Sequence, residues 1–328
     1  MASPNVPSDD GILFESYAME WLARYKDESL KGTTLNGYKS YLRQHLLPAF
    51  GDMNLLEISV DDIQDFMNDR KTYAMKTIRE WLVLLRQILD SALEDEIIKF
   101  NPAKSKRLKN PSSTVTVRDA LPLDTFLDIV AQIACLDDTD RRLIALLMFT
   151  GMRRGEVLGL MWEDIDFDNM MIHVRRNVTF PTNQPCITTP KTHNGVRSIP
   201  LDACLVALMA KPSDATGFII GDSKPISLTT YRWMYERIEK QVNLHDATAH
   251  VFRHSYLTLL DQAGVGSKTL QLIAGHGDIK ITMNRYVHSR NSDILSAGEK
   301  FTALVSASEG FQARVQQSEK YRDLLAVS

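Results

Sequence analysis

A mainly α-helical fold with one small β-sheet or hairpin, an α+β chain in two domains, is what this sequence predicts. Three observations carry it. Apolar residues recur at helical spacing with few interruptions from Leu13 to about Asn101. A polar, basic stretch punctuated by Pro and Ser follows over residues 102–117. The helical pattern then yields to β-prone residues only between Met171 and Pro200, where Asn194-Gly195 signals a tight turn.

Residues 1–11, MASPNVPSDDG, carry no apolar period and are expected to be disordered. Phe14, Tyr17, Trp21, Leu22 and Tyr25 mark a first amphipathic helix. Leu35, Tyr38, Leu42 and Leu46 mark a second, which Pro48 should stop. Ser59-Val60-Asp61-Asp62 reads as a capping box ahead of Ile63, Phe66 and Met67. Thr77, Trp81, Leu84, Leu85, Ile88 and Ala92 make a long fourth helix. Residues 12–101 are therefore expected to form a helical domain, with 102–117 a basic linker to a second domain over 118–290.

In the second domain, Leu121-Pro122-Leu123-Asp124 starts one helix, and Asp140 starts another that ends at Thr150-Gly151. Met171-Ile172-His173-Val174 and Cys186-Ile187-Thr188-Thr189 are strand-like, and Asn194-Gly195 precedes Val196-Arg197-Ser198-Ile199-Pro200. This order puts Lys191 at a hairpin tip. Residues 202–210 and 227–241 look helical, with Phe218-Ile219-Ile220 a short buried segment. Residues 291–328 are expected to form a helical tail with apolar positions at Phe301, Leu304, Val305, Phe311, Val315, Tyr321, Leu324 and Leu325.

At 328 residues the chain is long enough for two separate cores. Hydrophobic content of 44% and charged content of 24% are those of a soluble globular protein. No apolar run approaches the roughly 18 residues of a membrane helix, and the N-terminus lacks the features of a signal peptide. Three cysteines, Cys135, Cys186 and Cys204, without close pairing, speak against a disulfide framework and fit a reducing cytoplasm. A net charge of −3 excludes a uniformly cationic nucleic-acid binder. The charge is segregated, however: Lys99, Lys104, Lys106, Arg107, Lys109 and Arg118 follow one another without an acid between them. Such a run can give a basic face on a mildly acidic molecule.

Residues 247–288, ATAHVFRHSYLTLLDQAGVGSKTLQLIAGHGDIKITMNRYVH, concentrate the chemistry. His250 and Arg253 share a helix face. Gly264/Gly266 and Gly275/Gly277 break the helices, and Asp278 can cap a further one carrying Tyr286. A phenol brought near an arginine and histidines can attack an anion, most simply a phosphate. His250-x-x-x-His254 has zinc-site spacing, but Val251 stands where a zincin needs Glu. Gly264-Val-Gly-Ser-Lys-Thr269 lacks the opening glycine of a phosphate loop and reads as a helix–helix turn. His254 and His288 read as structural.

HVFRH, then AGH, then RYVH resembles the C-terminal signature of the tyrosine recombinases, the phage-integrase family. Tyr286 lies ten residues after His276, as in that family, and Ala274 stands where the family usually has Leu. Thr150, Gly151, Arg153 and Glu156 match the family's T-G-x-R motif with its glutamate three residues on, and Trp162 continues the likeness. Arg154, beside it, reads as a helix-surface cation. Pro190-Lys191-Thr192, followed by Arg197 and Ile199-Pro200-Leu201, resembles the segment that carries a catalytic lysine on a mobile hairpin.

The resemblance covers about residues 12–290. It implies Arg153, Lys191, His250, Arg253 and His276 as catalytic residues and Tyr286 as the nucleophile. Cleavage would leave a 3′-phosphotyrosyl intermediate, with no metal, cofactor or ATP. Residues 12–101 would be a core-binding, SAM-like domain, with Lys71, Lys76, Arg79, Lys104, Lys106, Arg107 and Lys109 as phosphate contacts on double-stranded DNA. The implied assembly is a homo-tetramer on paired sites, with accessory DNA-bending or directionality proteins as further partners. The tail would dock on a neighbouring protomer; packing in cis is the competing reading. Integrases often carry an additional arm-binding domain. The helical pattern starts within a dozen residues of Met1, so the chain either has the simpler architecture or is part of a longer protein. An Xer-like resolvase, a type IB topoisomerase-like enzyme and a non-catalytic DNA-binding relative are the alternatives.

Overall fold

The computed structural model describes residues 11–25, 32–110, 120–189, 195–275 and 291–306. It divides into two units, Met1–Val117 and Arg118–Ser328. In the first, α1 (Phe14–Tyr25) buries Phe14, Ala18, Trp21 and Leu22 along one stripe. The second helix does not stop at Pro48. Instead α2 (Gly32–Tyr41) runs into a π-helical turn, Leu42–Leu46, and on into α3 (Leu47–Phe50). The N–H of Leu47 reaches back to the carbonyl of Leu42. That widened turn makes room for the proline ring, which would otherwise press on the carbonyl four residues back, and asks for no N–H from Pro48.

The Ser59–Asp62 capping box is present ahead of α4 (Val60–Asp69), the Ser59 N–H donating to the Asp62 carboxylate at 2.8 Å. The Ser59 hydroxyl and N–H hold the Asp62 carboxyl below the usual carboxylate range. The expected fourth helix, α5 (Met75–Glu94), is the long helix of the unit and buries Ile78, Trp81, Leu85 and Ile88 against Leu42, Leu46, Phe50 and Phe66.

The expected linker over 102–117 begins as part of this unit. Asn101, Pro102 and Ala103 are buried. The Asn101 amide donates to Asp90 at 2.8 Å, and the Arg86 Nε donates to the Ala103 carbonyl at 2.7 Å. The Gln64 amide closes two bonds with the backbone of Lys109, at 2.7 and 3.0 Å. Composition suggested a free linker because the side chains there are polar; the backbone bonds that dock the strip leave no mark on composition.

The second unit is built around α7 (Asp138–Phe149), whose last ten residues are all buried. Around it lie α6 (Leu123–Ile133), α8 (Arg154–Leu158), α9 (Ala203–Met209), α10 (Leu228–Gln241), α11 (Ala249–Gln262) and α12 (Ser267–Ala274). Among the described residues two antiparallel sheets form. β1 (Ile165–Asp166), β2 (Met171–Val174) and β5 (Arg197–Pro200) make one in the order β1-β2-β5; β3 (Asn177–Thr179) and β4 (Cys186–Thr188) make the other. The expected hairpin across Asn194-Gly195 is therefore not a pair of partner strands, since β4 pairs with β3 and β5 with β2. An Asn-Gly dipeptide reports local turn propensity; the pairing is fixed by burial, which sets Ile172 opposite Ile199 with both at 0% exposure. Lys191 falls in the β4–β5 connection, outside the described residues.

The described part of the tail, α13 (Asn291–Ser306), packs in cis. Ile294, Ala297, Phe301 and Val305 are buried. The Phe301 ring meets those of Tyr256, Phe149 and Phe126 edge-on at 4.9, 5.7 and 6.1 Å. Thr302 donates to Asp202, and the Lys300 ammonium to the Gly264 carbonyl at 3.0 Å. Residues 307–328, and the tail docking expected of them, lie outside the described residues.

Candidate active site

The site grows from the start of α11. Thr248 caps this helix, its side chain accepting the Val251 N–H. His250 is exposed, whereas Arg253, one turn on and on the same face, is only 5% exposed. The Arg253 guanidinium donates to the Gly151 carbonyl and to the Ala274 carbonyl, each at 2.5 Å. Gly151 turns the chain between α7 and α8 with φ +60°, and a methyl there would lie 2.9 Å from the Tyr256 ring. The glycine of the T-G-x-R motif is thus required both by its backbone conformation and by the ring packed on it.

Arg153 stands at the N-cap of α8. Its N–H and its guanidinium both donate to Glu156, at 2.8 Å each, and its other terminal nitrogen donates to the Gly275 carbonyl at 2.9 Å. Glu156 is buried and shared: Arg197, the first residue of β5, forks onto the same carboxylate at 2.9 and 3.1 Å. The Arg197 Nε also donates to the Ile273 carbonyl at 2.8 Å. The last carbonyls of α12, at Ile273, Ala274 and Gly275, are therefore held by Arg197, Arg253 and Arg153 respectively. Helix C-termini leave carbonyls without intrahelical donors and carry partial negative charge, so cations are the natural partners. Gly275 ends the helix in the left-handed conformation, φ +61°.

Arg153 and Arg197 bond one carboxylate and Arg253 lies close enough to feel its charge, an excess of two positive charges among the described residues of a largely buried place. Burial, then the neighbouring Arg153 charge, pushes the Arg253 pKa down to about 10, which leaves it cationic at neutral pH. Burial alone would raise the Glu156 carboxyl; hydrogen bonds and charge from Arg197, with Arg153, outweigh it and hold the group below its usual range. Arg253 is buried and the Arg197 side chain only 6% exposed, but the Arg153 side chain is 45% exposed. Such an arrangement can present planar N–H donors to an anion at its mouth.

Of the six expected catalytic residues, the structure brings Arg153 and Arg253 together and puts His250 on the helix that carries Arg253. Lys191, His276 and Tyr286 lie outside the described residues, although His276 is bonded to Gly275 and Gly195, four residues after Lys191, accepts from Arg197 at 3.2 Å. Glu156 and Arg197 entered the sequence reading only as letters of motifs. Glu156 had a local signal, a capping-box acid three residues after its N-cap; Arg197 had none. Arg154 is exposed, as read, with its guanidinium 5.2 Å from the centroid of the Tyr231 ring. In the first unit Lys71, Lys76, Arg79, Lys106 and Lys109 are exposed. Lys104 pairs with Asp90 at 2.7 Å and Arg107 with Asp61 at 3.2 Å, exposed contacts that a phosphate could displace.

The model of the phage integrase family matches residues 119–293, more than half of the chain. The chain belongs to that family. A second model, the phage integrase N-terminal SAM-like domain, matches residues 13–70 of this tyrosine recombinase. The integrase of ICEBs1 from Bacillus subtilis is 27% identical over 268 residues, 76% of this chain and 72% of that protein. Among solved structures, the Tn1549 transposon integrase in complex with circular intermediate DNA shares the fold at a TM-score of 0.62, with 22% identity over 84% of this chain and 95% of the other. A lambda integrase tetramer bound to a Holliday junction gives a TM-score of 0.55, at 16% identity over 89% of this chain and 79% of the other. The protein is accordingly an enzyme of site-specific recombination.

Proposed function

We propose that this recombinase integrates or excises a mobile element by cutting and rejoining double-stranded DNA through a 3′-phosphotyrosyl intermediate on Tyr286. The observation that carries the reading is the Arg153–Arg253 pair, hung on the adjacent carbonyls of Gly275 and Ala274 immediately before His276. A scissile phosphate between these guanidinium groups would meet donors fixed before it arrives, where negative charge grows during reaction.

In the cleavage step the Tyr286 oxygen attacks phosphorus and the phenolic proton passes to a base. His250 is the better candidate, and His276 the alternative. The bond from phosphorus to the 5′ oxygen breaks, and Lys191 donates the proton that this oxygen takes as it leaves. Arg153 and Arg253 offset the charge on the non-bridging oxygens of the pentavalent state. The ester to Tyr286 keeps the bond energy, so attack by another 5′ hydroxyl rejoins the strand without ATP.

The likeness to integrases of mobile elements supports the choice of substrate, and that to a lambda integrase tetramer on a Holliday junction supports a homo-tetramer on paired sites. In such an assembly α13 would stay with its own protomer, leaving 307–328 as the segment to exchange. Accessory DNA-bending proteins would act on the DNA. Lys71, Lys76, Arg79, Lys104, Lys106, Arg107 and Lys109 would neutralise phosphates.

The test is to mix the protein with fragmented DNA of a host carrying the element, trap covalent complexes with denaturant, and sequence the attached DNA. One junction sequence should dominate, and a supercoiled plasmid carrying it should recombine. Tyr286→Phe should bind that DNA and trap none. Relaxation of any plasmid regardless of sequence would point to a topoisomerase, and binding with no adduct to a non-catalytic relative; either result overturns the reading.

A further inference from the structure

Among the described residues, Arg197 is the one cation of the site with a buried side chain and no assigned part in the reaction. Four of its five N–H donors are engaged: Nε on the Ile273 carbonyl, one terminal nitrogen on Glu156 and on the Gly195 carbonyl, the other on Glu156 again. Its side chain is 6% exposed. With one N–H left among these contacts, against three on Arg253, it cannot fork onto a phosphate.

What it holds is the frame of a residue that does. Glu156 receives two bonds from Arg197 and two from Arg153, so one carboxylate fixes one guanidinium against the other. The remaining contacts close a ring: Arg197 to the Ile273 carbonyl, two residues along the α12 terminus to Gly275, and from the Gly275 carbonyl back to Arg153. Gly275 fits only because nothing projects from it. A methyl there would lie 2.9 Å from an Arg197 nitrogen and 3.0 Å from its Cζ. Among the described residues Arg153 uses two of its five side-chain donors, on Glu156 and Gly275, and keeps the rest on a half-exposed group.

We propose that Arg197 is a positioning residue for the transesterification: through Glu156 and the α12 C-terminus it aims the open donors of Arg153 at the scissile phosphate. This rests on the function proposed above. A lysine cannot reproduce it, because a point charge does not make the bidentate fork.

The experiment uses the full chain and a nicked duplex carrying the junction sequence recovered by trapping, in two forms: an ordinary scissile phosphodiester, and a methylphosphonate that lacks one negative charge there. Single-turnover adduct formation, DNA affinity and thermal melting are measured for Arg197→Met, Arg197→Lys, Arg153→Ala and the Arg153→Ala/Arg197→Met pair. On the phosphodiester, Arg197→Met and Arg197→Lys should each slow adduct formation by about 10- to 100-fold with affinity nearly unchanged, the scale of a small misplacement. The double variant should be no slower than Arg153→Ala alone, as expected of residues acting as a unit. On the neutral methylphosphonate the Arg197→Lys penalty should shrink to within about threefold, because a displaced Arg153 then has less charge to offset.

A wild-type rate in Arg197→Lys would overturn the proposal, as would multiplying rates in the double variant or an equal penalty on both substrates. Should Arg197→Met fail to fold, Arg197→Lys on the two substrates decides. Adduct formation by Tyr286→Phe would instead break the underlying reading and leaves a distinct signature.

Discussion

Replacing Glu156 by Gln changes one atom in the most densely bonded part of the site. The carboxylate accepts four hydrogen bonds, two from Arg153 and two from Arg197, and is 2% exposed. Gln keeps the shape but offers one oxygen and one donating nitrogen, so donor faces donor on one side. The larger effect is on Arg197, whose guanidinium is left in a site 6% exposed with no countercharge on it. Removing one partner of a buried pair typically costs about 3–5 kcal/mol. Arg153 is nearly half exposed and water makes up much of its loss, so Arg197 sets the figure. In a unit of this size 1 kcal/mol moves Tm by about 2–4 °C, which gives a fall of roughly 6–20 °C.

Scanning calorimetry of the full chain reads this directly, the transition of the first unit serving as internal control. The pH dependence is a second readout. The folded pKa of Glu156 is depressed, so its contribution is complete above the unfolded value of about 4.3 and fades as pH falls below it. The gap between wild type and Glu156→Gln should therefore close on acidification below about pH 4. A loss in Tm under about 2 °C at neutral pH, where roughly 6–20 °C is expected, would refute the claim that this carboxylate holds the two arginines.

Gly275→Ala should lower the melting temperature by a few degrees, since a left-handed non-glycine residue costs about 1 kcal/mol or more; it should also slow adduct formation, because the new methyl pushes on Arg197, and a variant equal to wild type in both assays would contradict the packing. Phe301→Ala should cost about 3–5 kcal/mol in urea unfolding, the scale of a large buried ring; a loss under about 1 kcal/mol would contradict the packing of α13 on its own unit. Lys106→Gln and Lys109→Gln should each reduce the slope of log affinity against log salt by about 0.9 without altering sequence preference, and an unchanged slope would remove them from the DNA contacts.

What could be read in the sequence was what depends on near neighbours. The Ser59–Asp62 capping box spans three residues, and His250 and Arg253 lie one turn apart on one helix. Gly151 and Gly275 announce themselves because few other residues accept a positive φ. Local signals failed where a distant partner decides. Pro48 is carried by a π-helical turn that no single residue encodes. The β4 and β5 strands each find another partner because burying Ile199 on Ile172 outweighs a turn signal. Arg197 meets Glu156 across 41 positions, and its two backbone acceptors on α12 and Gly195 carry no side-chain code at all. The motif residues were legible; the frame that aims them was not.

The central claim concerns which atom attacks which phosphorus. The covalent complex trapped on the recovered junction sequence, digested with protease and nuclease and sequenced by mass spectrometry, tests it directly. A peptide bearing a nucleotide joined through its 3′ phosphate to the Tyr286 oxygen is the predicted result. A nucleotide on any other side chain, or one joined through its 5′ phosphate, would contradict it.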